Sequence, residues 1–160
     1  MASVIVGFEL SGQDVEVMVA PLATLQSVLR DQLGHASVKD GCRQGGCGSC
    51  TVLVDGEPMV SCLLPVEDVA GRRVTTLEGI TPAAGLHPVQ EAFLEGNGFQ
   101  CGYCTPGMEM VAKALLDHNP APSRDEIVEA LAGNVCRCTG YGSIIDAMAA
   151  AAAAGQEAGR

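Results

Sequence analysis

The sequence predicts an α+β fold in two consecutive units. Three observations carry that reading: paired β-prone runs flank turn residues twice in the first 64 positions, one helical period lies between them, and four helical segments follow position 88. The first pair, Val4 to Leu10 and Val15 to Ala20, brackets Ser11-Gly12-Gln13-Asp14 with the spacing of a hairpin. Thr24 is placed to cap a helix in which Leu25, Val28, Leu29 and Leu33 recur at helical spacing, and Gly34 supplies its stop. The second pair, Thr51 to Val54 and Pro58 to Leu64, flanks Asp55-Gly56, a strong tight-turn signal.

From Ala70 to Pro88 no helical period is sustained, and glycines, Arg72-Arg73 and two prolines mark a connection between units. The division is therefore expected between residues 1–78 and 79–160. Pro88 to Leu94, Pro106 to Leu116, Ser123 to Leu131 and Ser143 to Ala154 read as four helices packed together. Pro88 and Pro106 stand where a first helical turn tolerates proline, and Ser123 with Glu126 forms a capping box. The alanine-rich end, Ala147 to Ala158, favours helix but buries little, so it is expected to fray.

With 160 residues, 48% of them hydrophobic, the chain can bury small cores without disulfides. Its alanine run, Ala149 to Ala154, falls far short of the roughly 20 apolar residues that span a bilayer, so no membrane span is expected. Met1 to Leu10 holds no basic residue and no cleavage site behind an apolar run, which argues against a secretory signal and for a cytoplasmic location. In that reducing compartment eight cysteines bind metal or do redox chemistry rather than pair as disulfides. Nine basic against nineteen acidic residues, a formal charge of -10, argue against nucleic acid as a partner.

Cys42, Cys47, Cys50 and Cys62 fall as C-x4-C-x2-C with a fourth cysteine after eleven intervening residues, the plant-type spacing for one [2Fe-2S] cluster. Three thiolates must wrap a small anionic cluster from one loop, and Gly41 to Gly48 contains four glycines that let backbone N–H groups turn inward. Cys62 is expected from the end of the second hairpin. In the other half Cys101 and Cys104 are two residues apart, and 31 residues later come Cys136-Arg137-Cys138. If these precede the helices at Pro106 and Ser143, two positive helix ends converge on the anionic site. A C-x-C pair is uncommon in structural zinc sites, which favours iron and sulfide over a zinc-stapled module. His35, His87 and His118 lie outside these loops and are expected to be surface or capping residues.

Three motifs in this order resemble the small iron-sulfur subunit of the molybdenum hydroxylases, the xanthine oxidase family: Gly41-Cys42-Arg43-Gln44-Gly45-Gly46-Cys47-Gly48-Ser49-Cys50-Thr51-Val52, Gln100-Cys101-Gly102-Tyr103-Cys104-Thr105-Pro106-Gly107 and Asn134-Val135-Cys136-Arg137-Cys138-Thr139-Gly140-Tyr141. Ser49 departs from the pattern, since alanine is commoner there. The resemblance implies a ferredoxin-like (β-grasp) N-terminal domain and a four-helix C-terminal domain, each with a [2Fe-2S] cluster. It implies a heteromeric oxidoreductase, arranged as a dimer of heterotrimers, whose large subunit holds a molybdenum pterin-cytosine dinucleotide and whose medium subunit holds FAD. By the same resemblance Gln100 matches a glutamine that hydrogen-bonds the pterin, and electrons run from molybdenum through the helical-domain cluster to the ferredoxin-like cluster and on to FAD. Arg137 is expected either to place positive charge beside the cluster or to form a surface salt bridge. The chain has no G-x-G-x-x-G, no P-loop and no constellation that would itself activate a substrate. A free-standing ferredoxin needs only the first unit, so the helical half argues against a shuttle.

Overall fold

The computed structural model describes residues 3–158. Strands β1 (Val4–Leu10) and β2 (Gln13–Val19) form an antiparallel hairpin closed by Ser11 and Gly12 alone, both at positive φ. The turn is two residues long rather than four because this left-handed pair matches the twist of the flanking strands. Along β1 the buried positions Val6, Phe8 and Leu10 alternate with more exposed ones, so one face of the ribbon is core. Thr24 caps the following helix, its hydroxyl accepting from the Ser27 N–H at 3.2 Å. Only α1 (Leu25–Ser27) has ordinary helical bonding; Val28–Gln32 continues as a wider π-type turn in which the Leu33 N–H donates to Val28 O at 3.0 Å. Leu25, Val28 and Leu29 are nevertheless completely buried on the sheet, as their spacing requires.

β3 (Thr51–Val54) and β4 (Glu57–Val60) form the second hairpin around Asp55-Gly56. The segment expected to be a plain connection instead contains β5 (Arg73–Thr75) and the short α2 (Leu77–Ile80). β5 is the middle strand of the sheet, whose order is β2-β1-β5-β3-β4, parallel to β1 and antiparallel to β3. Three residues are too few to show a period in sequence. What fixes β5 is non-local: Val74 is fully buried, and Asp55 accepts from the Arg73 N–H and the Arg72 side chain at 2.9 and 2.8 Å.

Helices α3 (Pro88–Glu95), α4 (Thr105–His118), α5 (Arg124–Ala130) and α6 (Gly142–Ala158) match the four expected segments. Ser123 and Glu126 close the capping box on α5, and His87 closes a second one on α3 with Gln90. Phe93, Met108, Ile127, Ile144 and Met148 fill the core these helices share. A third cluster joins the halves: Leu53, on the opposite face of β3 from Val52 and Val54, packs against Met110 and Ala114 of α4. All four residues of β3 are therefore buried, and α4 serves both the helical core, through Met108 and Ala112, and this junction. Among the described residues no helix is long and apolar enough to cross a membrane.

Candidate metal centres

The glycine-rich loop after α1 carries the first three cysteines. Cys42 receives the Gln44, Gly46 and Cys47 amides; the Gln44 N–H foremost, with the Cys47 thiol beside it, draws the Cys42 thiol down to about 7. This is the inward-turned nest that the glycines predict. Cys50 and Cys62 are buried, and their side chains touch; burial first, then the neighbouring thiol, pushes Cys50 up to about 11. Cys62 lies two residues past the end of β4, and the Ser61 hydroxyl beside it donates to Cys50 O at 2.7 Å.

In the second half Cys104 immediately precedes α4 and touches Cys136, while Cys101 and Cys138 lie with their sulfurs 3.6 Å apart. Burial drives the Cys104 thiol up to about 12 despite its place at the helix N-terminus. Burial opposes ionisation of Cys136 as well, but there the Thr139 hydroxyl at 3.2 Å and the Thr139 and Cys138 amides outweigh it and bring the thiol to about 7. Cys104, at the start of α4, thus meets Cys136, whose loop leads into α6; the donors to Cys136 itself come from Cys138 and Thr139, ahead of α6. Tyr141 shapes that loop, accepting from the Cys136 N–H at 2.9 Å and donating to Asn134 O at 3.0 Å.

The thiols therefore meet in four pairs, Cys42 with Cys47, Cys50 with Cys62, Cys104 with Cys136 and Cys101 with Cys138. Among the described residues no three His, Cys, Asp or Glu groups are placed to hold a single ion. Paired thiols with inward amides suit a two-iron centre, which takes two thiolates per iron and whose sulfurs accept hydrogen bonds. The donor set and its surroundings fit two such clusters.

The two loops are tied directly. The Val135 N–H donates to Cys47 O at 2.9 Å, Asn134 Nδ2 donates to Gly48 O at 3.0 Å, and the Tyr103 hydroxyl donates to Asp40 O at 2.7 Å. Gly48 and Gly107 make this closeness possible, since a Cβ on Gly107 would stand 2.3 Å from Gly48 O. Gln100 is exposed beside Cys101, and among the described residues its side chain has no hydrogen-bond partner. Arg137 is exposed and, among the described residues, forms no salt bridge. His87 is a cap, His35 hydrogen-bonds Thr76 at 2.8 Å, and His118 meets Glu57 at 3.3 Å. Sequence reasoning missed Ser49 as more than a small residue: it is buried, with Oγ 3.1 Å from Cys47 Sγ. A hydroxyl between two cysteines, where alanine is usual, was the available signal.

Fold and cysteine loops together define a two-unit iron-sulfur protein of the [2Fe-2S] class. Two family models match it in succession, the 2Fe-2S iron-sulfur cluster binding domain over residues 8–75 and the [2Fe-2S] binding domain over residues 76–149. The chain is 42% identical over 141 residues to the nicotinate dehydrogenase small FeS subunit of Eubacterium barkeri, spanning 88% of this chain and 90% of that one. It is 43% identical over 140 residues to the nicotine 6-hydroxylase small subunit of Paenarthrobacter nicotinovorans, spanning 88% and 84%. The crystal structure of quinoline 2-oxidoreductase from Pseudomonas putida 86 superposes with a TM-score of 0.92 at 41% identity, covering 97% of each chain. The chain belongs to the small iron-sulfur subunits of the molybdenum hydroxylase (xanthine oxidase) family and is the iron-sulfur subunit of an oxidoreductase.

Proposed function

We propose that this subunit relays single electrons from a molybdenum-pterin centre on a large partner to FAD on a medium partner. The helical unit receives them on Cys101, Cys104, Cys136 and Cys138, and the ferredoxin-like unit passes them on from Cys42, Cys47, Cys50 and Cys62. The observation that carries this reading is the contact between the two cysteine loops, where the Val135 N–H, one residue before Cys136, bonds the Cys47 carbonyl. Each cluster, when bound, supplies a reversible one-electron couple; the chain holds the thiolates, turns amides toward them and fixes the separation over which tunnelling must occur. The relatives named above, both of them small subunits, support an assembly with larger partners. Gln100, exposed beside Cys101, is free to contact the pterin. The two hydrophobic cores support a division at 78/79, joined by Leu53, Met110 and Ala114. A cytoplasmic dimer of heterotrimers completes the proposal.

The test is compositional first. Native material is expected to contain about four irons and four acid-labile sulfides per chain, since each four-cysteine set takes one [2Fe-2S] cluster; zinc without sulfide would end the reading. Order is tested next in complexes verified by iron content. Cys47→Ser leaves substrate able to reduce molybdenum and the second cluster while starving the flavin, whereas Cys104→Ser starves both later carriers. Equal loss of second-cluster reduction in the two variants would show the order to be wrong.

A further inference from the structure

We propose that Ser49 sets the reduction potential of the cluster held by Cys42, Cys47, Cys50 and Cys62, by donating its hydroxyl to the Cys47 thiolate; this deepens the reading above and rests on it. Ser49 is buried, and its Oγ lies 3.1 Å from Cys47 Sγ. The contact is enclosed: a Cβ on Gly41 would stand 2.5 Å from Ser49 Oγ and 2.7 Å from Cys47 Sγ, so the bare glycine backbone closes over both atoms. The main chain of Ser49 is also anchored, its carbonyl accepting from the Lys39 N–H at 3.2 Å. A free thiol and a hydroxyl can donate in either direction. A metal-bound cysteine is a thiolate with no proton, so only the Ser49 O–H can then be the donor.

The consequence follows from charge. Adding one electron makes the cluster more negative without changing its ligands, and a hydrogen bond to a ligand sulfur is stronger to the more negative state. Such a bond raises the potential, and here it is made at short range by a buried side chain. The Gln44, Gly46 and Cys47 amides serve Cys42, whereas the side-chain hydroxyl serving Cys47 is that of Ser49. The other cysteine set carries an equivalent hydroxyl, Thr139 Oγ1 at 3.2 Å from Cys136 Sγ. Without Ser49 that second set would keep its hydroxyl donor while the first lost one, and electrons would be held back on the helical side. Ser49 therefore biases transfer toward the ferredoxin-like cluster, one electron leaving the first carrier for each one that reduces the second.

The test compares wild-type complex with Ser49→Ala by redox titration followed by EPR, which resolves the two reduced clusters. Iron and sulfide content in the wild type establishes that the clusters exist, so a failure of the relay reading is seen before any potential is measured. In Ser49→Ala the equilibrium between the two clusters is expected to shift up to about tenfold against the ferredoxin-like one, or about 59 mV for one electron, since only the difference in hydrogen-bond strength between the two redox states counts and the whole bond to a charged group bounds it. The other cluster's potential stays in place, and one exchangeable proton coupling disappears from pulsed EPR spectra recorded after transfer to deuterated buffer. Unchanged potential and unchanged proton coupling would overturn the proposal. If Ser49→Ala does not load, Ser49→Cys, with a weaker donor at the same position, is read in its place: a lowered potential supports the proposal and a wild-type potential overturns it.

Discussion

Gly107→Ala tests how closely the two halves are pressed together. Gly107 lies in the first turn of α4, where alanine is ordinarily the better residue by about 1 kcal/mol. Here a Cβ would stand 2.3 Å from the Gly48 carbonyl oxygen and 3.1 Å from Asn134 Nδ2. The first of these atoms is backbone and cannot swing away, and Gly48 is itself boxed in, at φ +68, by Gly133 O and the Asn134 side chain. Relief requires the helical unit, which carries both α4 and Asn134, to retreat from Gly48; this breaks the Asn134 to Gly48 hydrogen bond at about 1 kcal/mol and adds an overpacking cost of roughly 1–3 kcal/mol. After the propensity gain is subtracted, the junction loses about 1–3 kcal/mol, equivalent to about 5- to 150-fold more frequent opening. Hydrogen exchange at the Val135 amide, which bonds Cys47 across this junction, measures that opening directly. Gly155→Ala is the control, because that helical glycine has nothing within 4 Å of the added carbon and should gain stability. Unchanged or slower exchange at Val135 in Gly107→Ala would refute the close approach.

Two further outcomes follow from single groups. Burial pushes the Glu109 carboxyl up to about 7, so the folded chain holds this proton more tightly than the unfolded one; the stability it contributes is complete at acid pH and is lost as pH rises through about 7. Glu109→Gln should remove that slope, with a urea-midpoint advantage over wild type that widens between about pH 5 and about pH 8; a constant gap across the range would contradict it. Val135→Pro deletes the N–H that reaches Cys47, at a site where the preceding Asn134 is already extended at φ -119 and ψ 120. Transfer between the clusters, followed by freeze-quench EPR after flash reduction, should slow several-fold in Val135→Pro and stay unchanged in Val135→Ala, since the valine side chain is half exposed.

Sequence alone determined the features whose causes are local. Ser11-Gly12 and Asp55-Gly56 close their hairpins because positive φ at two successive residues suits the strand twist. Thr24 and Ser123 start helices because a hydroxyl one turn back satisfies an amide that has no partner within the helix. The cysteine spacings likewise sit in the chain order itself, which is why the two loops and the small-subunit resemblance were legible at once. Tertiary structure decided everything that depends on residues far apart. The strand at Arg73–Thr75 is short enough to be silent in sequence and becomes the centre of the sheet only because β1 and β3 present edges to it. The positive end of α4, which begins just after Cys104, does not bring that thiol down, because burial there is larger and only packing sets burial. The bonds from Val135 to Cys47 and from Asn134 to Gly48 join positions more than 80 residues apart, and no pattern within either loop encodes that meeting. Local propensity acts over one turn of chain, whereas the distance between the two cysteine loops is fixed by where β3 and α4 bury their common face.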